Sequence, residues 1–308
     1  MSYVDAIAKS GPIPAISPAS TSYFSAPSPM LDPKLFDIED RLLPFIRTGV
    51  LDLLMSHLNK RFNNAHSWTK AWLAGSGVSH QWEAARQPGD LDCLVGIDYV
   101  KFRESNQDYI GFSDREIAKE INETFYDDLT PNTINWHGFE LTFYVNEQSD
   151  IRTINPYAAY DLILDDWTVE PKYETPPRNT QWDLRSNRDY ERGSELVSRY
   201  TLALNEVRAA KNPAHRINAE SKLKLATEQA ISFFDEIYAG RKVAFSSIGQ
   251  GYSDFNNYRW QAGKKTGVIQ ALRTIKDHKK AAEEASQLET YGVELPDADV
   301  MVRRALRP

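Results

Sequence analysis

The chain has 308 residues, room for one large domain or two modest ones, and its 41% hydrophobic share is enough for a core. No apolar run approaches the ~18 residues of a membrane span, and no basic stretch leads into a signal-type apolar segment, so a cytoplasmic protein is expected. Cys93, the only cysteine, excludes an intramolecular disulfide and a thiolate zinc cluster, and a net charge of −7 argues against a generally basic nucleic-acid coat.

Residues 1–33 carry Pro12, Pro14, Pro18, Pro27, Pro29 and Pro33 among Ser, Ala and Gly, and read as a tail laid over the body through Tyr23 and Phe24. From Leu35 to Phe62, Leu42, Phe45, Ile46, Val50, Leu53, Leu54 and Leu58 recur at helical spacing, with Pro44 and Gly49 as candidate breaks. Trp68–Ala74 is an apolar strand that ends on the turn Gly75-Ser76-Gly77, and Val78–Ala85 is a short helix candidate. Asp90–Ile97 is a second strand. Ser113 and Glu116 form a capping box at the start of a helix over 113–126. Asn132–Trp136 and Phe139–Asn146 read as strands joined at His137-Gly138. Residues 156–182, with an acidic-aromatic patch Asp165-Asp166-Trp167, read as a connector. Helices are expected over 184–211, 217–238 and 254–279.

Strand side chains alternate faces, so Asp90 and Asp92 point the same way while Leu91 and Cys93 point into the core. Two carboxylates a few ångströms apart repel unless a cation sits between them, and hard oxygen ligands suit Mg²⁺. The Gly75-Ser76 turn offers backbone N–H groups and a hydroxyl to a phosphate. Glu140 is the one acid in a β-prone run, where an acid wants a partner or a metal. Asp297-Ala298-Asp299 is a rival Asp-x-Asp pair, without a Gly-Ser turn or strand pattern around it.

Gly75-Ser76, Asp90-x-Asp92 and an isolated later acid together resemble the DNA polymerase β-like nucleotidyltransferase superfamily over about residues 34–150. The resemblance implies an α/β (α+β) fold with a small mixed sheet core at 34–155, and the helices expected beyond the connector make 183–308 a mostly helical domain. It implies transfer of a nucleoside monophosphate from a nucleoside triphosphate to a hydroxyl, with release of pyrophosphate. Asp90, Asp92 and Glu140 would hold Mg²⁺ or Mn²⁺, and Gly75 and Ser76 would cradle the triphosphate. Residues 241–280 carry nine Lys/Arg against two acids, a net +7 in a chain that is −7 overall. By the resemblance, Lys264 and Lys265 would hold the triphosphate; a solvated helix face is the alternative. An RNA 3′ end or a second nucleotide is the favoured acceptor, and a protein or small-molecule acceptor is compatible with the same core. A silent nucleotide- or RNA-binding protein, and a scaffold whose Asp-x-Asp is structural, are the readings from other classes. Gly249-Gln-Gly251-Tyr252 reads as a loop before a helix cap, with Tyr252 as a candidate stacking platform. His137 and Cys93 read as structural.

Overall fold

The computed structural model describes residues 3–18, 26–84, 89–174 and 179–292. In chain order these form α1 (Tyr3–Ala8), α2 (Pro44–Asn59), β1 (Thr69–Ala74), β2 (Gly89–Ile97), α3 (Tyr99–Ser105), α4 (Asp114–Thr124), β3 (Phe139–Asn146), β4 (Ala159–Asp161), β5 (Asp166–Val169), α5 (Thr180–Ala209), α6 (Pro213–Ala244), α7 (Phe255–Lys265) and α8 (Val268–Tyr291), with short turns between them. None of the described helices is long and apolar enough to cross a membrane. The chain divides into two compact units. Phe24–Pro177 and Ala244–Asp254 form an α/β unit; Met1–Tyr23, Arg178–Val243 and Phe255–Pro308 form a helical one.

The α/β unit is built on a mixed sheet of order β3-β2-β1-β4-β5, in which β2 and β3 run parallel and the other pairs antiparallel. A parallel neighbour needs a crossover, and α3 and α4 supply it between β2 and β3. One sheet face carries Ala71, Leu73, Leu91, Cys93, Val95, Leu141, Phe143 and Val145. They bury against Ile46, Val50, Leu54 and Leu58 of α2 and Ile117 and Ile121 of α4. The Ser113 capping box forms as its spacing predicts: Glu116 N–H donates to Ser113 Oγ, and Ser113 N–H donates to Glu116 Oε2 at 2.8 Å.

Several elements differ from the sequence reading. Pro44 starts α2 instead of breaking it, because the first turn of a helix has no use for that N–H. Gly49 stays helical; its missing side chain admits the Trp136 ring, whose Cζ2 would lie 2.8 Å from an added Cβ. Asn132–Trp136 is not a strand. Thr130–Thr133 closes a helical turn, and a tight Trp136–Phe139 turn follows, with positive φ at His137 and Gly138. The connector reading of 156–182 fails, since β4 and β5 complete the sheet and Ala158, Tyr160 and Leu162 are core. Trp167 stacks on Phe36 at 5.2 Å and donates its Nε1 to Asp40 O, and Asp165 pairs with Arg47 at 3.3 Å. Described parts of the tail are also packed. Residues 26–33 join the α/β unit, where Leu31 is core, while Tyr23 and Phe24 lie outside the described residues.

In the helical unit, Leu196, Tyr200, Leu204, Leu223, Phe233, Ile237, Ile269, Leu272 and Ile275 form a core that takes in Ile7 of α1. Asp5 pairs with Arg216, and Arg208 Nε donates to Ala8 O at 2.8 Å. The helix expected over 254–279 is two, broken at Gly267. Its φ of +80° turns the chain, and an added Cβ would sit 2.7 Å from Ala15 O.

His57 on α2 contacts Thr124 Oγ1 through Nε2 at 3.0 Å, and burial, with Arg61 nearby, lowers its pKa to about 4. The folded state therefore favours the neutral ring. Its contribution is complete above the unfolded value near 6.5 and is lost as pH falls towards 4, a limit of about 3 kcal/mol. Urea midpoints between pH 4 and 7 should fall more steeply for the wild type than for His57→Gln. Parallel profiles would remove His57 as the cause.

Candidate active site

β2 presents Asp90 and Asp92 on the sheet face opposite the helices, both half-buried. The parallel register sets Asp90 beside Glu140 and Asp92 beside Thr142 on β3. Registered neighbours share a face, so all three carboxylates lie on the same side of the sheet. Thr142 Oγ1 donates to Asp92 Oδ1 at 2.9 Å and orients that carboxylate. Across the antiparallel pairing, Ala74 stands beside Asp92 and Trp72 beside Leu94. Trp72, Ala74, Leu94, Ile151 and Ala159 make an apolar floor that continues the acidic row. Low-dielectric surroundings of this kind strengthen any charge interaction made there.

Gly75 leaves β1 with φ +96° and ψ −161°, a conformation essentially reserved for glycine. A Cβ added there would lie 3.2 Å from Asp92 Oδ2. One added at Gly77 would lie 2.5 Å from Asp90 O, so glycines on either side of Ser76 let the turn press against the carboxylate strand. Ser76–Val78 forms a short 3-10 turn closed by Ser79, whose N–H and Oγ both donate to Ser76 O. The helix expected over 78–85 is instead this turn and a second one at Trp82–Ala84; Ala85 and Pro88 lie outside the described residues, as do Asp297 and Asp299.

Mg²⁺ of phosphoryl-transfer sites is held by one or two carboxylates together with substrate phosphates. Asp90, Asp92 and Glu140, hard oxygen donors on one face beside a turn with glycine at 75 and 77, fit that donor set. Among the described residues no three His, Cys, Asp or Glu side chains form a ready-made metal cage. Cys93 faces the core, where burial, reinforced by the Asp92 charge, pushes its thiol pKa up, so it is neither ligand nor nucleophile. His137 is an exposed turn residue set edge-on to Trp136.

Gly75, Ser76, Asp90, Asp92 and Glu140 thus meet at one end of one sheet. Lys264 and Lys265 belong to the helical unit, exposed at the end of α7; partial desolvation lowers the Lys265 pKa. The basic segment is less basic than its sequence. Lys276 pairs with Asp235 at 2.7 Å, Lys279 with Glu228 at 2.7 Å and Lys280 with Glu284 at 3.6 Å. Arg259 bridges Asp189 and Glu236. Counter-charges from α5, α6 and the end of α8 therefore cancel much of the +7. Tyr252 is no exposed stacking platform but is buried, with its hydroxyl on Gln81. Gln81 carried no sequence signal. Set against protein-family models, curated proteins and solved structures, the chain matches none of them.

Proposed function

We propose that this protein is a metal-dependent nucleotidyltransferase that moves a nucleoside monophosphate from a nucleoside triphosphate to a hydroxyl acceptor. The observation that carries the reading is the Asp90–Glu140 register, which joins three carboxylates on one face, with the Gly75–Gly77 turn against Asp92. Asp90, Asp92 and Glu140 would hold Mg²⁺ or Mn²⁺, which neutralises phosphate charge and makes a hydroxyl more acidic. With the Gly75 N–H donated to Ala158 O, the N–H groups of Ser76 and Gly77 are the turn's donors to the phosphate chain, an electrostatic contribution that needs no reorganisation. The acceptor oxygen bonds to the α-phosphorus as the bond to the bridging oxygen breaks and pyrophosphate leaves. Glu140 is the carboxylate that receives the hydroxyl proton. An RNA 3′ end or a second nucleotide is the acceptor class we favour. The ion-paired lysines of α8 lend no support to a long RNA track, which leaves the acceptor to be assigned by experiment.

The test offers each α-labelled triphosphate with Mg²⁺ or Mn²⁺, with and without total RNA. The expected result is label in RNA or in a nucleotide-linked product, with release of unlabelled pyrophosphate. Binding without transfer would reduce the protein to a nucleotide sensor. Neither binding nor transfer would leave the Asp-x-Asp pair structural.

A further inference from the structure

We propose that Gln81 and Tyr252 are positioning residues that hold the Gly75–Gly77 turn in its phosphate-receiving shape, a role that rests on the nucleotidyl-transfer reading.

Tyr252 comes from the segment 244–254, between α6 and α7 in sequence but folded into the α/β unit. Asn155 N–H donates to Phe245 O at 2.9 Å, Ile154 bridges to Ser246, and Ser253 Oγ donates to Glu174 Oε2 at 3.1 Å. Gly251, at φ +63°, lets the chain lie against Asn155, whose Nδ2 would be 3.0 Å from an added Cβ. The Tyr157 ring packs on both Phe245 and Tyr252, with centroids 5.2 Å away in each case. The Tyr252 side chain is therefore held rigidly, and burial raises its phenol pKa, so the hydroxyl stays protonated.

From Tyr252 a continuous chain of hydrogen bonds runs to the turn. Its hydroxyl donates to Gln81 Oε1 at 3.2 Å, Gln81 N–H donates to Ser79 Oγ at 3.2 Å, and Ser79 Oγ donates to Ser76 O at 3.0 Å. On its other side the turn lies so close to β2 that a Cβ added at Gly77 would stand 2.5 Å from Asp90 O. Gln81 is buried, at 6% exposure, and its Nε2 has no hydrogen-bond partner among the described residues. A buried orphan donor costs stability, and an apolar side chain of the same length would fill the space without it. Packing alone does not call for glutamine here; a side-chain oxygen that accepts the Tyr252 hydroxyl, on a residue whose backbone N–H donates to Ser79 Oγ, does.

Tyr252→Phe, Gln81→Met and the double variant test this. The readouts are amide exchange, melting temperature and affinity for Mg²⁺–tripolyphosphate, a phosphate chain without a base. Tyr252→Phe should speed exchange over 76–84 by about tenfold, the worth of one hydrogen bond, with β1 and β2 unchanged. The tripolyphosphate dissociation constant should rise by about the same factor. The double variant removes donor, acceptor and orphan together, so its melting temperature should hold or rise while affinity still falls. A merely structural pair would not give that split. Unchanged exchange, or faster exchange with unchanged affinity, would overturn the proposal. If the wild type itself does not bind tripolyphosphate, the nucleotidyl-transfer reading fails and takes the proposal with it. That failure shows before any variant is compared.

Discussion

Asp92→Asn is expected to lower nucleotidyl transfer by a factor of about a thousand or more and to leave the fold intact. Asp92 is the carboxylate of the row nearest the Gly75 turn, beside Thr142 on β3 and two residues from Asp90 on its own strand. The asparagine keeps an oxygen that can accept the Thr142 hydroxyl now donated at 2.9 Å, so local geometry survives. What disappears is one negative charge where cation charge is to be balanced, worth several kcal/mol in the transition state. Carboxylate repulsion across the row also falls, so the urea midpoint should stay level or rise. Turnover and urea midpoint, measured together, separate this from unfolding. Full turnover in Asp92→Asn would remove the row from the chemistry.

Gly75→Val should do comparable damage by another route. At φ +96° and ψ −161° a β-branched residue is strained, at a cost of about 1–3 kcal/mol. Its Cβ would stand 3.2 Å from Asp92 Oδ2, and its methyl groups would occupy the space a phosphate needs. We expect the triphosphate dissociation constant to rise at least about a hundredfold and the melting temperature to fall. Ser76→Ala, which keeps every backbone N–H, should shift the constant less than about tenfold. Equal triphosphate affinity in Gly75→Val and the wild type would put the phosphate elsewhere.

The carboxylate row was legible because a strand has a period of two. Asp90 and Asp92 can only share a face, and Leu91, Cys93 and Val95 declare which face is core. That Glu140 stands beside Asp90 was not legible, because register across a crossover depends on how α3 and α4 pack. Asn132–Trp136 misled because Ile134 and Trp136 favour strands, whereas Pro131 and the Thr133 hydroxyl, which donates to Leu141 O at 2.7 Å, settle a helical turn. β4 is only three residues long in a proline-rich stretch, too short for any alternation to show. The basic segment misled for a different reason: Glu228 and Asp235 lie on α6, and a local charge count does not see them. Gln81 was invisible because its role depends on Tyr252, 171 residues away in sequence.

The most direct measurement titrates Mn²⁺, with tripolyphosphate present, into the wild type and into Asp90→Asn/Asp92→Asn, and follows bound Mn²⁺ by electron paramagnetic resonance. A carboxylate site that shares its metal with phosphate predicts Mn²⁺ binding in the wild type that depends on tripolyphosphate and is lost in the variant. Equal binding by the two proteins would contradict it.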